Sequence, residues 1–140
     1  MKRERFPPDD PREWINRAKS NLALARNVIA DADLEDLCFD AQQAAEKGIK
    51  AVFVQRRDTF PFSHDLDKLL RLLERNGVKV PKYVDEAKEL TPYAHETRYP
   101  GIADPVTLRE YRRAVRIATA VLRWAERQVA ARDTRPGGKP

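Results

Sequence analysis

The stretch Cys38–Phe53, CFDAQQAAEKGIKAVF, decides the fold. At helical spacing Cys38, Ala41, Ala45, Gly48 and Val52 fall on one line, at steps of three and four. Leu37, Ala44 and Ala51 form a second apolar line beside it. Small side chains in such a line let helix axes approach near the lower end of the usual ~8–10 Å range. Gly48 costs roughly 1 kcal/mol of helix propensity relative to alanine, and close packing is the expected compensation. A helix apolar over so wide an arc is central to its bundle or shared with another subunit. The remaining face carries Gln42, Gln43, Glu46, Lys47 and Lys50. Glu46 and Lys50 make a favourable i,i+4 pair. This face reads as solvated, with nucleotide contact as the competing reading. The helix is expected over about residues 34–55.

Working outward, the preceding segment carries Trp14, Ala18, Leu22, Ala25 and Ile29 on one helical face, which predicts a helix over about 11–30. Asp9 or Asp10 before Pro11 supplies its start, and Asp31-Ala32-Asp33 breaks it. Residues 1–9, ending in Pro7-Pro8, read as a flexible arm, and 10–132 as one domain. After the central helix, Thr59–Ser63 form a short loop. Ser63 is expected to cap a third helix, with Asp65 at its positive end. Leu66, Leu69, Leu70 and Leu73 form that helix's stripe, and Asn76-Gly77 ends it. Pro81 opens a fourth helix carrying Val84, Ala87, Leu90 and Ala94, which Pro92 should kink or interrupt. In the last helix Leu108, Tyr111, Val115, Ala118, Leu122, Ala125 and Val129 alternate steps of three and four. Thr107 and Glu110 fit a capping box, with Asp104-Pro105 a competing start. Residues 133–140 read as a flexible tail. Strand and repeat signals are absent, so the expected fold is all-α, an up-and-down bundle of about five helices.

Composition narrows the function. The 140 residues suit one domain, with 35% charged and 41% hydrophobic residues. No run of about 18 apolar residues occurs, so no membrane span is expected. The basic N-terminus lacks the apolar core of a secretory signal. The lone Cys38 reads as a buried thiol in a reducing cytoplasm. Metal-ligand spacing, a glycine-rich phosphate loop and clustered aspartates for magnesium are all missing, and no cofactor is expected. The net charge of +5 would attract a phosphate-bearing partner. Basic residues are nevertheless spread over every segment, as on an ordinary solvated surface. Trp14 and Trp124 read as packing residues.

The stretch YAHETRYPG, Tyr93–Gly101, concentrates candidate site residues. Arg98 could hold a phosphate while a tyrosine ring stacks on a base, with His95 and Tyr99 beside it. The residues alone read more readily as a helix end, with Arg98 on last-turn carbonyls, Tyr99 packed on the bundle and Pro100-Gly101 turning the chain. His64 could line the same groove or simply sit at a helix start.

CFDAQQAAEKGIKAVF, then SHDLDKLL (Ser63–Leu70), then YAHETRYPG, in this order and with Trp14 near the first helix's start, resembles the HEPN (higher eukaryotes and prokaryotes nucleotide-binding) family. The RYP at residues 98–100 suggests the type associated with minimal nucleotidyltransferases. The resemblance covers about residues 12–130. It implies a helical bundle, usually a homodimer, often paired with a nucleotidyltransferase-like protein, as in toxin-antitoxin-like systems. Catalytic relatives are metal-independent ribonucleases that carry an arginine, four to six residues, then a histidine near the last long helix. Here Arg98 is followed by Ala103-Asp104-Pro105, and no histidine stands at the expected place. Arg57 and His64 do have six residues between them, but in the loop between the second and third helices.

The expectation is therefore a non-catalytic HEPN-type protein. It would bind a nucleotide or RNA phosphate through Arg98, Tyr99, His95, His64 and Lys47, and partner a nucleotidyltransferase-like protein. The alternatives are a ribonuclease using Arg98 with His64 or His95, and a structural dimerisation module.

Overall fold

The computed structural model describes residues 3–95 and 99–133. They form α1 (Pro11–Ala25), α2 (Leu34–Arg56), α3 (Leu66–Arg75), α4 (Lys82–Asp85) and α5 (Leu108–Asp133), with a 3₁₀ segment, Glu86–Ala94, continuing α4. No strand occurs among the described residues. The helical bundle read from the sequence is the observed fold. Most of the expected 133–140 tail lies outside the described residues.

The start and end signals act locally, and most lie where the sequence places them. Asp10 caps α1, its Oδ1 accepting from the Arg12 N–H at 2.9 Å. Thr107 and Glu110 form the reciprocal capping box, with Thr107 N–H donating to Glu110 Oε1 at 2.8 Å and Glu110 N–H to Thr107 Oγ1 at 3.1 Å. Gly77 takes a left-handed φ of 95° after α3, and the Val78 N–H reaches back to the Leu73 carbonyl at 2.9 Å. The third helix starts differently from expectation. Asp65 is the cap, accepting from the Lys68 N–H at 3.1 Å, while Ser63 Oγ accepts from the Asp65 N–H one step earlier.

Two helices are shorter than their apolar patterns. α1 ends at Ala25 and leaves Ile29 exposed. The Ala25 carbonyl accepts from the Tyr111 hydroxyl at 2.5 Å, and the Asn27 side-chain amide takes the Ala23 carbonyl at 2.8 Å. These partners replace the next turn's backbone bonds, where Asn27, Val28 and Ile29 are weaker helix formers than the Ala23–Ala25 turn before them. The fourth helix keeps α geometry for only four residues. Pro92 lacks an N–H and crowds the carbonyl four residues earlier, so the chain around it runs as the tighter 3₁₀ form.

α2 is central, packed along both α1 and α5. Its seam, Cys38, Ala41, Ala45 and Val52, is at most 1% exposed, and so are Ala44 and Ala51. Opposite Gly48, Leu122 Cα lies 3.7 Å from the place where a β-carbon would stand. The largest fully buried side chains include Phe53, Ile49, Leu69, Leu73 and Ile117. Trp124 is buried as expected, and Trp14 packs its ring edge on Phe60 while its Nε1 donates to the Pro8 carbonyl at 2.7 Å. Residues 4–8 run beside α1. Phe6 N–H donates to Glu13 Oε1 at 3.0 Å, and Asn16 Nδ2 to the Glu4 carbonyl at 3.3 Å.

Candidate functional site

Gln42, Glu46 and Lys50 recur every four residues on α2 and so share one face. The sequence reading made this a solvated face, and the structure corrects it: all three are buried. The loop between α2 and α3 folds back over them. Phe60 wedges between Trp14 and Phe53, with ring centroids 5.9 and 5.3 Å away. With Phe60 fixed, His64 arrives above Glu46. The reason for burial is therefore a tertiary contact that helical periodicity cannot express.

Lys50 Nζ pairs with Glu46 Oε2 at 2.8 Å, both side chains only 5% exposed. Gln42 Nε2 donates to Glu46 Oε1 at 2.9 Å. Glu46 also faces His64 Nδ1 at 2.9 and 3.1 Å. Burial alone would push the Glu46 carboxyl upward, but the hydrogen bonds from Lys50, Gln42 and His64 outweigh it and hold the pKa below the ordinary value. An ionised carboxylate can only accept, so Nδ1 carries the hydrogen and Nε2 is the free ring nitrogen. Nε2 has no hydrogen-bond partner among the described residues, and His64 is half exposed. Phe62, 95% exposed, stands beside it with ring centroids 5.9 Å apart. Lys50 Nζ lies 5.9 Å from the Phe62 ring. A free ring nitrogen, a bare aromatic face and a partly neutralised ammonium thus meet at one place.

The other sequence candidates do not all join this group. Arg98 lies outside the described residues. His95 ends the 3₁₀ segment and is exposed, and Tyr99 is exposed too. Tyr99 to Ile102 form a turn, with Gly101 at φ 82° and the Ile102 N–H donating to the Tyr99 carbonyl at 3.3 Å. Tyr93 is half-buried, its hydroxyl pushed up to about 12 mainly by burial. It lines a cavity of about 200 Å³ whose charged walls are Glu110 and the Glu89–Arg113 ion pair. Lys47 faces α1 instead, where its Nζ donates to Asn21 Oδ1 at 2.7 Å. Phe62 was missed as a site residue, while Glu46 and Lys50 entered only through the competing nucleotide-contact reading of their face. The available signal was the aromatic pair in TFPFS directly before His64.

Among the described residues no three His, Cys, Asp or Glu side chains are grouped as metal ligands, and no helix is long and apolar enough to cross a membrane.

The HEPN domain model matches residues 11–128, from the first turn of α1 nearly to the end of α5. The chain belongs to the HEPN family. Two solved structures are similar to this HEPN chain. TT1696 from Thermus thermophilus has a TM-score of 0.71 at 30% identity, over 84% of this chain and 97% of that one. ST0689, an archaeal HEPN homologue, has a TM-score of 0.70 at 24% identity, over 86% of this chain and 98% of that one. No match was found among curated proteins.

Proposed function

We propose that this HEPN protein is a non-catalytic, cytoplasmic binder of a nucleotide or RNA phosphate and acts beside a nucleotidyltransferase-like partner. The observation that carries the reading is the His64 site. A base stacks on the exposed Phe62 ring, and the free His64 Nε2 accepts from a sugar hydroxyl, with the Lys50–Glu46 pair buried behind it. Arg98 supplies further positive charge in the RYP segment. A homodimer fits the exposed apolar residues at one end of the bundle. Leu24 lies in the last turn of α1 and Val28 and Ile29 just beyond it, and Leu108 starts α5 one turn from Tyr111, which bonds Ala25.

The test is a metal-free calorimetric titration of ATP and of a short RNA into wild type, His64→Ala, Phe62→Ala and Arg98→Ala. Binding by wild type that weakens at least tenfold in His64→Ala and Phe62→Ala supports the reading. Absence of binding by the wild type overturns it. One observation favours a second reading, a metal-independent ribonuclease. A carboxylate on Nδ1 fixes the histidine tautomer and leaves Nε2 free to take a proton from a 2′-hydroxyl. That reading requires RNA cleavage in the presence of a chelator, lost in His64→Ala.

A further inference from the structure

Arg3 and Arg5 of the N-terminal stretch, Arg17 and Lys19 of α1, and Lys47 of α2 line one open cleft of about 600 Å³. Its five cations have two carboxylates within ion-pair range among the described residues. Glu13 takes Arg3, Arg5 and Arg17 at 3.9, 3.1 and 2.9 Å, and Glu126 takes Lys19 at 3.0 Å. Glu13 is buried and also accepts from the Phe6 N–H, so it works as a fixed post that orders three guanidinium groups. Lys47 has no carboxylate of its own in that range; its ammonium bonds the neutral Asn21 amide. Burial first, and then the Arg17 charge, lower the Lys47 pKa against the opposing Glu46 and Asp40 charges, Asp40 accepting from the Asn21 amide at 3.1 Å. With five cations on its lining and two carboxylates ion-paired to them, the cleft keeps an excess of positive charge that an anion would relieve.

The lining also says which anion. Among the described residues no aromatic side chain lines the cleft, so its lining offers no face for stacking a base. Asn16, Ser20 and Asn21 instead add amide and hydroxyl groups between the cations. Guanidinium forks suit phosphate oxygens, and hydroxyl and amide groups suit a ribose 2′-hydroxyl. Cations drawn from three chain segments are more than a single phosphate group requires. We propose that this cleft binds the sugar-phosphate backbone of single-stranded RNA, as a surface separate from the His64 site. The inference rests on the nucleotide- or RNA-binding reading above and extends it: base contacts are made at His64 and Phe62, and sequence-indifferent backbone contacts in the cleft.

The experiment is fluorescence anisotropy with labelled 12-mer oligo(U) and oligo(dT) across a salt series. It compares wild type, Lys19→Gln/Lys47→Gln and the charge-matched control Lys79→Gln/Lys82→Gln, whose lysines are exposed on and beside α4. Each phosphate contact on a single strand contributes about 0.7 to the slope of log affinity against log salt. Losing two contacts should flatten the slope by about 1.4 and weaken oligo(U) binding roughly 25-fold near 0.1 M salt. The control should stay within about twofold, and oligo(dT) should bind more weakly than oligo(U). If Lys19→Gln/Lys47→Gln does not fold, Lys19→Gln alone should weaken binding roughly fivefold.

An unchanged slope in the cleft variant overturns the inference, as does equal weakening in the control. Competition by tripolyphosphate or by a poly-glutamate peptide at the same charge concentration as RNA also overturns it, since the cleft would then bind any polyanion. Wild type that binds ATP but no oligo(U) sinks the cleft proposal and leaves the nucleotide-binding reading standing. Wild type that binds neither sinks both.

Discussion

Replacing Lys50 by methionine should be among the most destabilising single changes on α2. The Lys50–Glu46 pair lies at 2.8 Å with both side chains 5% exposed. At an effective dielectric constant of about 20, its gross attraction is on the order of 6 kcal/mol. Desolvation of the two charges offsets much of that, so the net worth of the pair is small. Lys50→Met removes the attraction and leaves the Glu46 desolvation in place. Breaking a buried pair this way typically costs about 3–5 kcal/mol. Gln42 and His64 still donate to Glu46 here, which favours the low end, about 3 kcal/mol. For a chain of this length that lowers the midpoint of thermal unfolding by roughly 10 °C. Urea unfolding followed by circular dichroism at pH 7 reads the loss directly. Glu46→Gln/Lys50→Met should recover most of it, because the amide keeps a hydrogen-bonding acceptor without the charge. The pH dependence has a fixed sign. The Glu46 pKa is lowered in the fold, so its ionised form contributes stability above its ordinary value of 4.5 and loses it as pH falls below that. The penalty in Lys50→Met should therefore shrink in acid, as Glu46 takes up a proton. A loss under about 1 kcal/mol at pH 7, or a double variant no more stable than Lys50→Met, would refute the reasoning.

Three further outcomes follow from the packing. Gly48→Ala should stabilise by about 0.5–1 kcal/mol in the same assay, because its β-carbon would stand 3.5 Å from Ala125 Cβ, an ordinary contact, and alanine restores helix propensity. Gly48→Leu should instead destabilise by forcing α2 away from α5; a destabilised Gly48→Ala would show that a methyl does not fit. Glu13, held at about 2 by Arg17, the Phe6 N–H and Arg5 against the opposing effect of burial, contributes stability that is present above its ordinary 4.5 and lost as pH falls toward 2. Glu13→Gln should flatten that acid limb, which a pH series of thermal melts will show. Cys38, pushed up to about 12 by burial and by the nearby Glu35 and Glu110 charges, should resist a thiol reagent at pH 8 while the protein is folded and react once it is unfolded; labelling at comparable rates in both states contradicts the burial.

How far the site could be read in the sequence depended on the range of each interaction. His64 was legible as a candidate because a histidine beside Ser63 at a helix start is a local pattern. Its contact with Glu46 was not legible, because Glu46 lies 18 positions away and on the face read as solvent-exposed. Lys47 was legible as a cation, but the direction it takes was not. It turns toward α1 and bonds Asn21, 26 residues earlier.

The sequence by itself determined the all-α bundle, the central place of α2 and most of the caps. Those follow from the 3.6-residue period, from side chains that bond backbone groups three or four positions away, and from glycines at left-handed positions. Only the tertiary structure decided which polar residues were buried and which cations gathered in one cleft. It also decided where α1 stops, since Tyr111 closes that helix from 86 positions down the chain. The physical reason is the same in each case. Helical periodicity is set by neighbours along the chain, whereas the solvation of a charge depends on whatever the fold lays over it.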